Sequence, residues 1–131
     1  MTKAKPTRRR TSSSIMLPVL AQGEKYAGIL LGDTGTPSAH LILLPSELES
    51  ATWADAGTWA KQIKGELPTR QEHALLFANL KKQFRSAWYW SSEPLAGDES
   101  YAWCQTFDDG YQTNDPKSYK LRARAVRRVA I

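Results

Sequence analysis

One cysteine, two histidines and no long apolar run are what this sequence has least of, and each shortage removes a class of function. Cys104 alone cannot close an intrachain disulfide. With His40 and His73 as the only imidazoles, a thiolate or imidazole metal centre lacks ligands, so neither a metal nor a cofactor is expected. The longest apolar stretches, around Tyr26 to Leu31 and Leu41 to Leu44, have the length of strands. A membrane-spanning helix needs about 18 or more such residues, so no membrane insertion is expected. The basic start is followed by Thr11-Ser-Ser-Ser14 and only Ile15 to Ala21 before Gln22, which does not make a secretory signal.

What is present is basic charge, unevenly placed. Of 131 residues, 18 are Lys or Arg and 13 are Asp or Glu. Residues 1–14 hold Lys3, Lys5, Arg8, Arg9 and Arg10 with no acid, and residues 117–131 hold Lys117, Lys120, Arg122, Arg124, Arg127 and Arg128, again with no acid. The stretch between them has a net charge of −6. If the two ends meet in the fold, they form a basic pole of Arg8, Arg9, Arg10, Lys117, Lys120 and Arg122, suited to nucleic acid or an acidic protein surface. Alternatively, the arm is a solvated tail and the C-terminal arginines are partly structural.

The length suits one domain. Residues 1–14 read as a flexible basic arm, and residues 15–131 as a single domain. Tyr26-Ala-Gly-Ile-Leu-Leu31 and His40-Leu-Ile-Leu-Leu44, separated by Gly32-Asp-Thr-Gly-Thr-Pro-Ser38, predict a hairpin. Thr52 with Asp55 has the shape of a capping box, and Trp53, Ala56, Ala60 and Ile63 recur at helical spacing until Gly65. Thr69 with Glu72 starts a second helix, whose apolar stripe is Leu76, Leu80 and Phe84 flanked by Phe77, with Lys81, Lys82 and Arg85 mostly on the other side. Trp88-Tyr-Trp90 and Tyr101-Ala-Trp103 read as strands, and Asp108-Asp-Gly110 as a turn. The run from Lys120 to Ala130 alternates until its phase slips at Val126, which predicts a bulge near Ala125. Hairpin, two helices and then strands make the class α+β, with the helices against one side of a twisted antiparallel sheet.

Several motifs fall in one order: Thr52-Trp-Ala-Asp-Ala56, Leu67-Pro-Thr-Arg-Gln-Glu72, Trp90-Ser-Ser92, Ala102-Trp103, Phe107, Gly110 and Arg124-Ala-Val-Arg127. Over residues 22–129 the chain resembles the Lcl C-terminal domain family. It is also similar to the wider C-type-lectin-like and formylglycine-generating-enzyme group. It departs from the family pattern at Gly65-Glu66, where tryptophan-arginine is usual, and around Arg122 to Arg124. The hairpin region looks like the version found in phage and prophage genomes. The resemblance implies a C-type-lectin-like fold in which the first and last strands pair and the termini lie close together. It also implies a non-enzymatic recognition domain that binds a cell-surface glycan or protein through its C-terminal half. Such domains serve as adhesin tips, virion receptor-binding proteins and the variable targets of diversity-generating retroelements; at fibre tips they often assemble as homotrimers. The matching surface here is Asp108, Asp109, Tyr111, Thr113, Asn114, Asp115, Ser118 and Tyr119. Its tyrosines supply rigid contact area and its short polar residues supply adaptable hydrogen bonds, unless they are ordinary turn residues.

Catalytic readings fail on residue counts. The copper-binding cysteine pair of the formylglycine-generating relatives cannot be formed by Cys104 alone. His40 and His73 have no nucleophile signature around them. Gly32-Asp-Thr-Gly35 occurs once, whereas aspartic proteases need two such aspartates. Glu93-Pro-Leu95 places leucine where a calcium-dependent lectin loop needs an oxygen ligand. No enzyme is expected. The competing reading is a small intracellular phage protein that binds nucleic acid or a host defence complex through the basic pole.

Overall fold

The computed structural model describes residues 16–131. The basic arm, including Arg8, Arg9 and Arg10, lies outside the described residues. Six strands and two helices follow in the order β1 (Lys25–Leu30), β2 (Ala39–Ala51), α1 (Trp53–Gln62), α2 (Arg70–Leu80), β3 (Trp88–Pro94), β4 (Tyr101–Thr106), β5 (Gln112–Pro116) and β6 (Leu121–Ala130). A 3-10 turn, Lys81–Gln83, follows α2 directly. No helix among the described residues is long and apolar enough to cross a membrane.

The class is α+β, but the sheet is mixed rather than antiparallel, and the helices cover opposite faces of it rather than one side, since the adjacent residues Ala125 and Val126 pack under α1 and α2 respectively. Its strand order is β1-β2-β6-β3-β4-β5, and β6 runs parallel to β3 with Arg122 opposite Tyr89. The expected pairing of first and last strands is also corrected: β2 lies between β1 and β6. The segment leading into β1 nevertheless reaches the last strand through side chains. Arg127 Nε and Nη2 donate to the Glu24 carboxylate at 2.9 and 2.8 Å, and Nη2 also donates to the Val19 carbonyl at 3.2 Å. The Arg127 guanidinium holds the Glu24 carboxyl below its ordinary range.

The predicted bulge near Ala125 lies instead in the partner strand. Between Leu43 and Glu47, β2 spends four steps where β6 spends two, from Val126 to Arg124. Pro45 explains this, because it has no amide to give to the ladder. Arg124 closes the gap by donating from Nη2 to the Leu44 carbonyl at 2.8 Å. The phase slip seen in the sequence has a different origin: Ala123 to Val126 are all buried, because β6 is central and covered on both faces. Ala123 and Ala125 join the core under α1, around Trp90, Ala56 and Ala60. Val126 joins the core under α2, around Leu76, Tyr89 and Phe107.

The helix starts follow the sequence, with one difference in length of side chain. At α2 the box is complete: Thr69 Oγ1 accepts from the Glu72 amide and Glu72 Oε1 accepts from the Thr69 amide. At α1 only the Asp55 amide to Thr52 Oγ1 bond forms, at 3.3 Å, since aspartate is one methylene short of the return reach. The stripe expected on α2 is also cut short. The helix ends at Leu80, and Phe84 packs from beyond the 3-10 turn, stacked on Phe107 at 3.8 Å.

Candidate functional site

The eight predicted contact residues run along the edge strand β5 and the turns at its two ends. Antiparallel pairing sets Asn114 opposite Trp103 and Thr113 opposite Cys104. Because side chains alternate, Thr113 and Asp115 belong to the α1 side and Gln112 and Asn114 to the α2 side. Asp108, Asp109 and Tyr111 gather at one end of β5, and Ser118 and Tyr119 at the other, so one compact ligand cannot touch all eight.

Several of them have local work to do. Asp109 Oδ1 accepts from the Tyr111 amide at 3.0 Å, and the Asp108 amide donates to Thr106 Oγ1 at 3.2 Å, which shapes the β4–β5 turn. Gly110 is required there: its φ is +85°, and a Cβ would lie 3.1 Å from the Phe77 ring. Asp115 Oδ2 lies 3.6 Å from Cys104 Sγ. Burial, reinforced by that carboxylate, pushes the Cys104 thiol up to about 12, which disfavours a thiolate nucleophile. Tyr111 and Tyr119 are exposed, at 62% and 54%.

On the α2 side of this edge the chain forms an open groove of about 630 Å³, lined by Arg70, Glu93, Gln105, Tyr111 and Gln112 among others. Arg70 is its centre. The guanidinium lies 3.5 Å over the Trp103 ring, and its Nε donates to Gln112 Oε1 at 2.9 Å. The Gln112 amide nitrogen donates to the Arg70 carbonyl and to Gln105 Oε1, and Gln105 in turn donates to the His73 carbonyl. This chain of amides orients the guanidinium. Its two terminal nitrogens have no partner among the described residues and remain available to a ligand. Glu93 Oε2 accepts from the Arg70 amide at 2.8 Å, a carboxylate at a helix N-terminus that favours the first turn of α2.

Arg70, Glu93 and Gln112 were not among the sequence candidates. Arg70 stood in the quoted Leu67-Pro-Thr-Arg70 motif, and Gln112 is one residue from Tyr111. The pairing register that brings them together has no local signature. Trp90 is fully buried as a core residue, whereas Trp103 is half-buried and forms the floor under Arg70.

The predicted basic-pole residues are separated by their partners. Lys117 Nζ lies 4.4 Å over the Trp53 ring, Lys120 is exposed, and Arg122 Nη1 donates to Glu47 Oε2 at 2.7 Å. Arg128 pairs with Glu72 and Glu66. Arg124 donates to the carbonyls of Gln83 and Leu44. Most of the C-terminal arginines are thus held by groups of the domain itself.

His73 is buried on α2, and neither ring nitrogen has a hydrogen-bond partner. Burial lowers its pKa to about 3, an effect that the nearby Trp90 backbone offsets only in part. The folded protein therefore holds the ring neutral, while the unfolded chain takes up a proton below about pH 6.5. Stability from this group is present above that pH and falls as pH drops toward 3, with a slope approaching 1.4 kcal/mol per pH unit. Urea unfolding of the protein and of His73→Phe between pH 7 and pH 4 checks this; the variant is expected to lose less stability on acidification.

Among the described residues no group of three His, Cys, Asp or Glu side chains is placed to hold a metal ion. No model of a known protein family matches the chain, and no curated protein matches it.

Proposed function

We propose that the chain is a non-enzymatic recognition domain that binds a macromolecular ligand, a cell-surface glycan or protein, at the groove between α2 and the β4–β5 edge. The observation that carries this reading is Arg70, stacked on Trp103, oriented by Gln112 and left with free donors beside the exposed Tyr111. A preoriented guanidinium over an aromatic floor recognises carboxylates and hydroxyl clusters at low entropic cost. The ordered motifs support a C-type-lectin-like domain of the Lcl C-terminal type, of phage or prophage origin. A virion or fibre location and a trimeric assembly belong to the same proposal.

The test is binding of the full chain to a panel of glycans and host-cell surface fractions, repeated with Arg70→Gln, Tyr111→Ala and Asn114→Ala. Arg70→Gln is expected to weaken binding about tenfold, which is the loss of one charged hydrogen-bonding contact. Tyr119→Ala lies at the far end of β5 and is expected to have little effect. Binding that survives Arg70→Gln and Tyr111→Ala unchanged removes the groove from the assignment.

A further inference from the structure

Charge is out of balance in one other place. Where the 3-10 turn passes the start of β6, a cleft of about 590 Å³ is lined by Glu47, Glu49, Lys82, Gln83, Phe84, Arg85 and Arg122. Glu47 is its hub. One of its oxygens accepts from the Tyr89 hydroxyl at 2.9 Å and the other from Arg122 Nη1 at 2.7 Å. Arg124 Nη1 and Arg85 Nε each stand 3.9 Å from the same carboxylate. Three guanidiniums thus surround one carboxylate, and Lys82 and Glu49 extend the wall with one charge of each sign, leaving the residues that line the cleft at +1 with the buried Arg124 behind them.

The cations differ in how free they are. Arg124 is buried, and its terminal nitrogens serve the carbonyls of Gln83 and Leu44, while its Nε has no partner among the described residues. Arg122 satisfies Glu47 with one terminal nitrogen and keeps its others. The Arg85 side chain is 71% exposed and only loosely paired, and Lys82 has no ion pair among the described residues. Arg85 is also fixed at its backbone, since its amide donates to the Tyr89 hydroxyl at 3.0 Å. The result is a guanidinium fork with an ammonium beside it, anchored from below and open to solvent above, an arrangement that matches the oxygens of a phosphate.

We propose that this cleft is a phosphate-binding site in which Lys82, Arg85 and Arg122 hold the oxyanion. Glu47 is the positioning residue that keeps Arg122 and Arg85 facing one another. The phosphate is either free or part of a phosphodiester backbone. Phe84 offers no stacking platform, because Phe107 lies flat on it at 3.8 Å and Arg124 sits over it as well. Recognition here is of charge and not of base identity.

The experiment is calorimetric titration of the full chain with inorganic phosphate and, separately, with a short single-stranded oligonucleotide of mixed sequence, at low and moderate salt. The double variant Lys82→Ala/Arg85→Ala is compared with Lys25→Ala, an exposed lysine of β1 that does not line the cleft. The double variant is expected to bind the effective probe about tenfold more weakly at low salt. For the oligonucleotide, its salt slope falls by about one. The Lys25→Ala protein matches the unsubstituted chain. Binding of inorganic phosphate alone identifies a free-phosphate site, and binding of the oligonucleotide alone identifies the phosphodiester. Absence of binding by both probes at low salt overturns the proposal, as does an unchanged affinity and slope in the double variant. Both substituted side chains are on the surface, and equal melting temperatures confirm that folding is intact. Failure here leaves the Arg70 groove untouched, because the two sites share no residue.

Discussion

Trp90→Ala is expected to lower the unfolding free energy by about 5 kcal/mol, near the upper end for truncation of a buried aromatic. The reason lies in what surrounds the indole. Trp90 is fully buried in a core that contains Ala51, Ala56, Ala60, Ala102, Ala123 and Ala125, so one large ring fills a space enclosed mainly by methyl groups. Alanine has no rotamers with which to move into a void, and the backbones that carry it belong to three different strands and a helix. The cavity therefore stays open, which is the condition under which the penalty is largest. The substitution also removes the indole N–H from the Ala51 carbonyl, a buried bond of 2.9 Å. Urea unfolding measures the change directly, and added indole is expected to raise the melting temperature of the variant by occupying the void. A loss below about 2 kcal/mol would mean that the alanine shell does collapse.

Arg128→Met is the second large effect, about 3 kcal/mol, and it acts through a carboxylate. Glu72 is only 1% exposed, and its oxygens accept from Arg128 Nε, from Arg128 Nη2 at 2.8 Å and from the Thr69 amide. The bonds to Glu72 raise the Arg128 pKa above its ordinary range, and Glu66 adds to the effect. Without the guanidinium, Glu72 keeps one amide for a charge that water cannot reach. Breaking such a pair from one side costs more than the pair contributes, and about a third of the Arg128 side chain is exposed, which moderates the loss. The double variant Arg128→Met/Glu72→Gln separates these terms. Glutamine preserves the cap and carries no charge, so the double variant is expected to recover most of the lost stability in denaturant unfolding. A double variant as weak as Arg128→Met would move the cause from charge to packing of the arginine stem.

The parts of this fold that were legible in the sequence are those decided within a few residues. Thr69 and Glu72 announce α2, Gly32 to Ser38 announce the β1–β2 connection, and Trp88 to Trp90 and Tyr101 to Trp103 announce strands. What was not legible depends on partners far along the chain. The alternation from Lys120 to Ala130 indicates a strand, but its slip reflects the burial of Ala123 to Val126 on both faces, and the irregular step lies in β2, where Pro45, some eighty residues earlier, breaks the ladder. The same limit separated the contact residues. Asp108 to Tyr119 form one stretch of sequence, yet strand alternation and the length of β5 divide them among two faces and two turns. Arg70 and Trp103 are 33 positions apart and become a site only through the seating of α2 on β4. The C-terminal arginines show the point in charge: their number suggested a pole, while Glu24, Glu47, Glu66 and Glu72, all within the acidic middle, hold Arg122, Arg127 and Arg128 in the folded state.

The central place of β6 bears on how the domain comes to exist during synthesis. The β1–β2 pair and the β3–β4–β5 meander are each local, but in the sheet they are joined only by the strand made last. Neither half has a neighbour for its inner edge until Leu121 to Ala130 have left the ribosome. Until then β2 and β3 expose unpaired backbone, the feature that invites association with other chains. Burial of both cores waits on the same insertion, since Ala123 and Ala125 complete one and Val126 the other. The closing step of folding therefore waits on β6 and is slow in the manner of non-local topologies, and a chain cut before Leu121 would leave two unjoined sheets in place of a shortened domain.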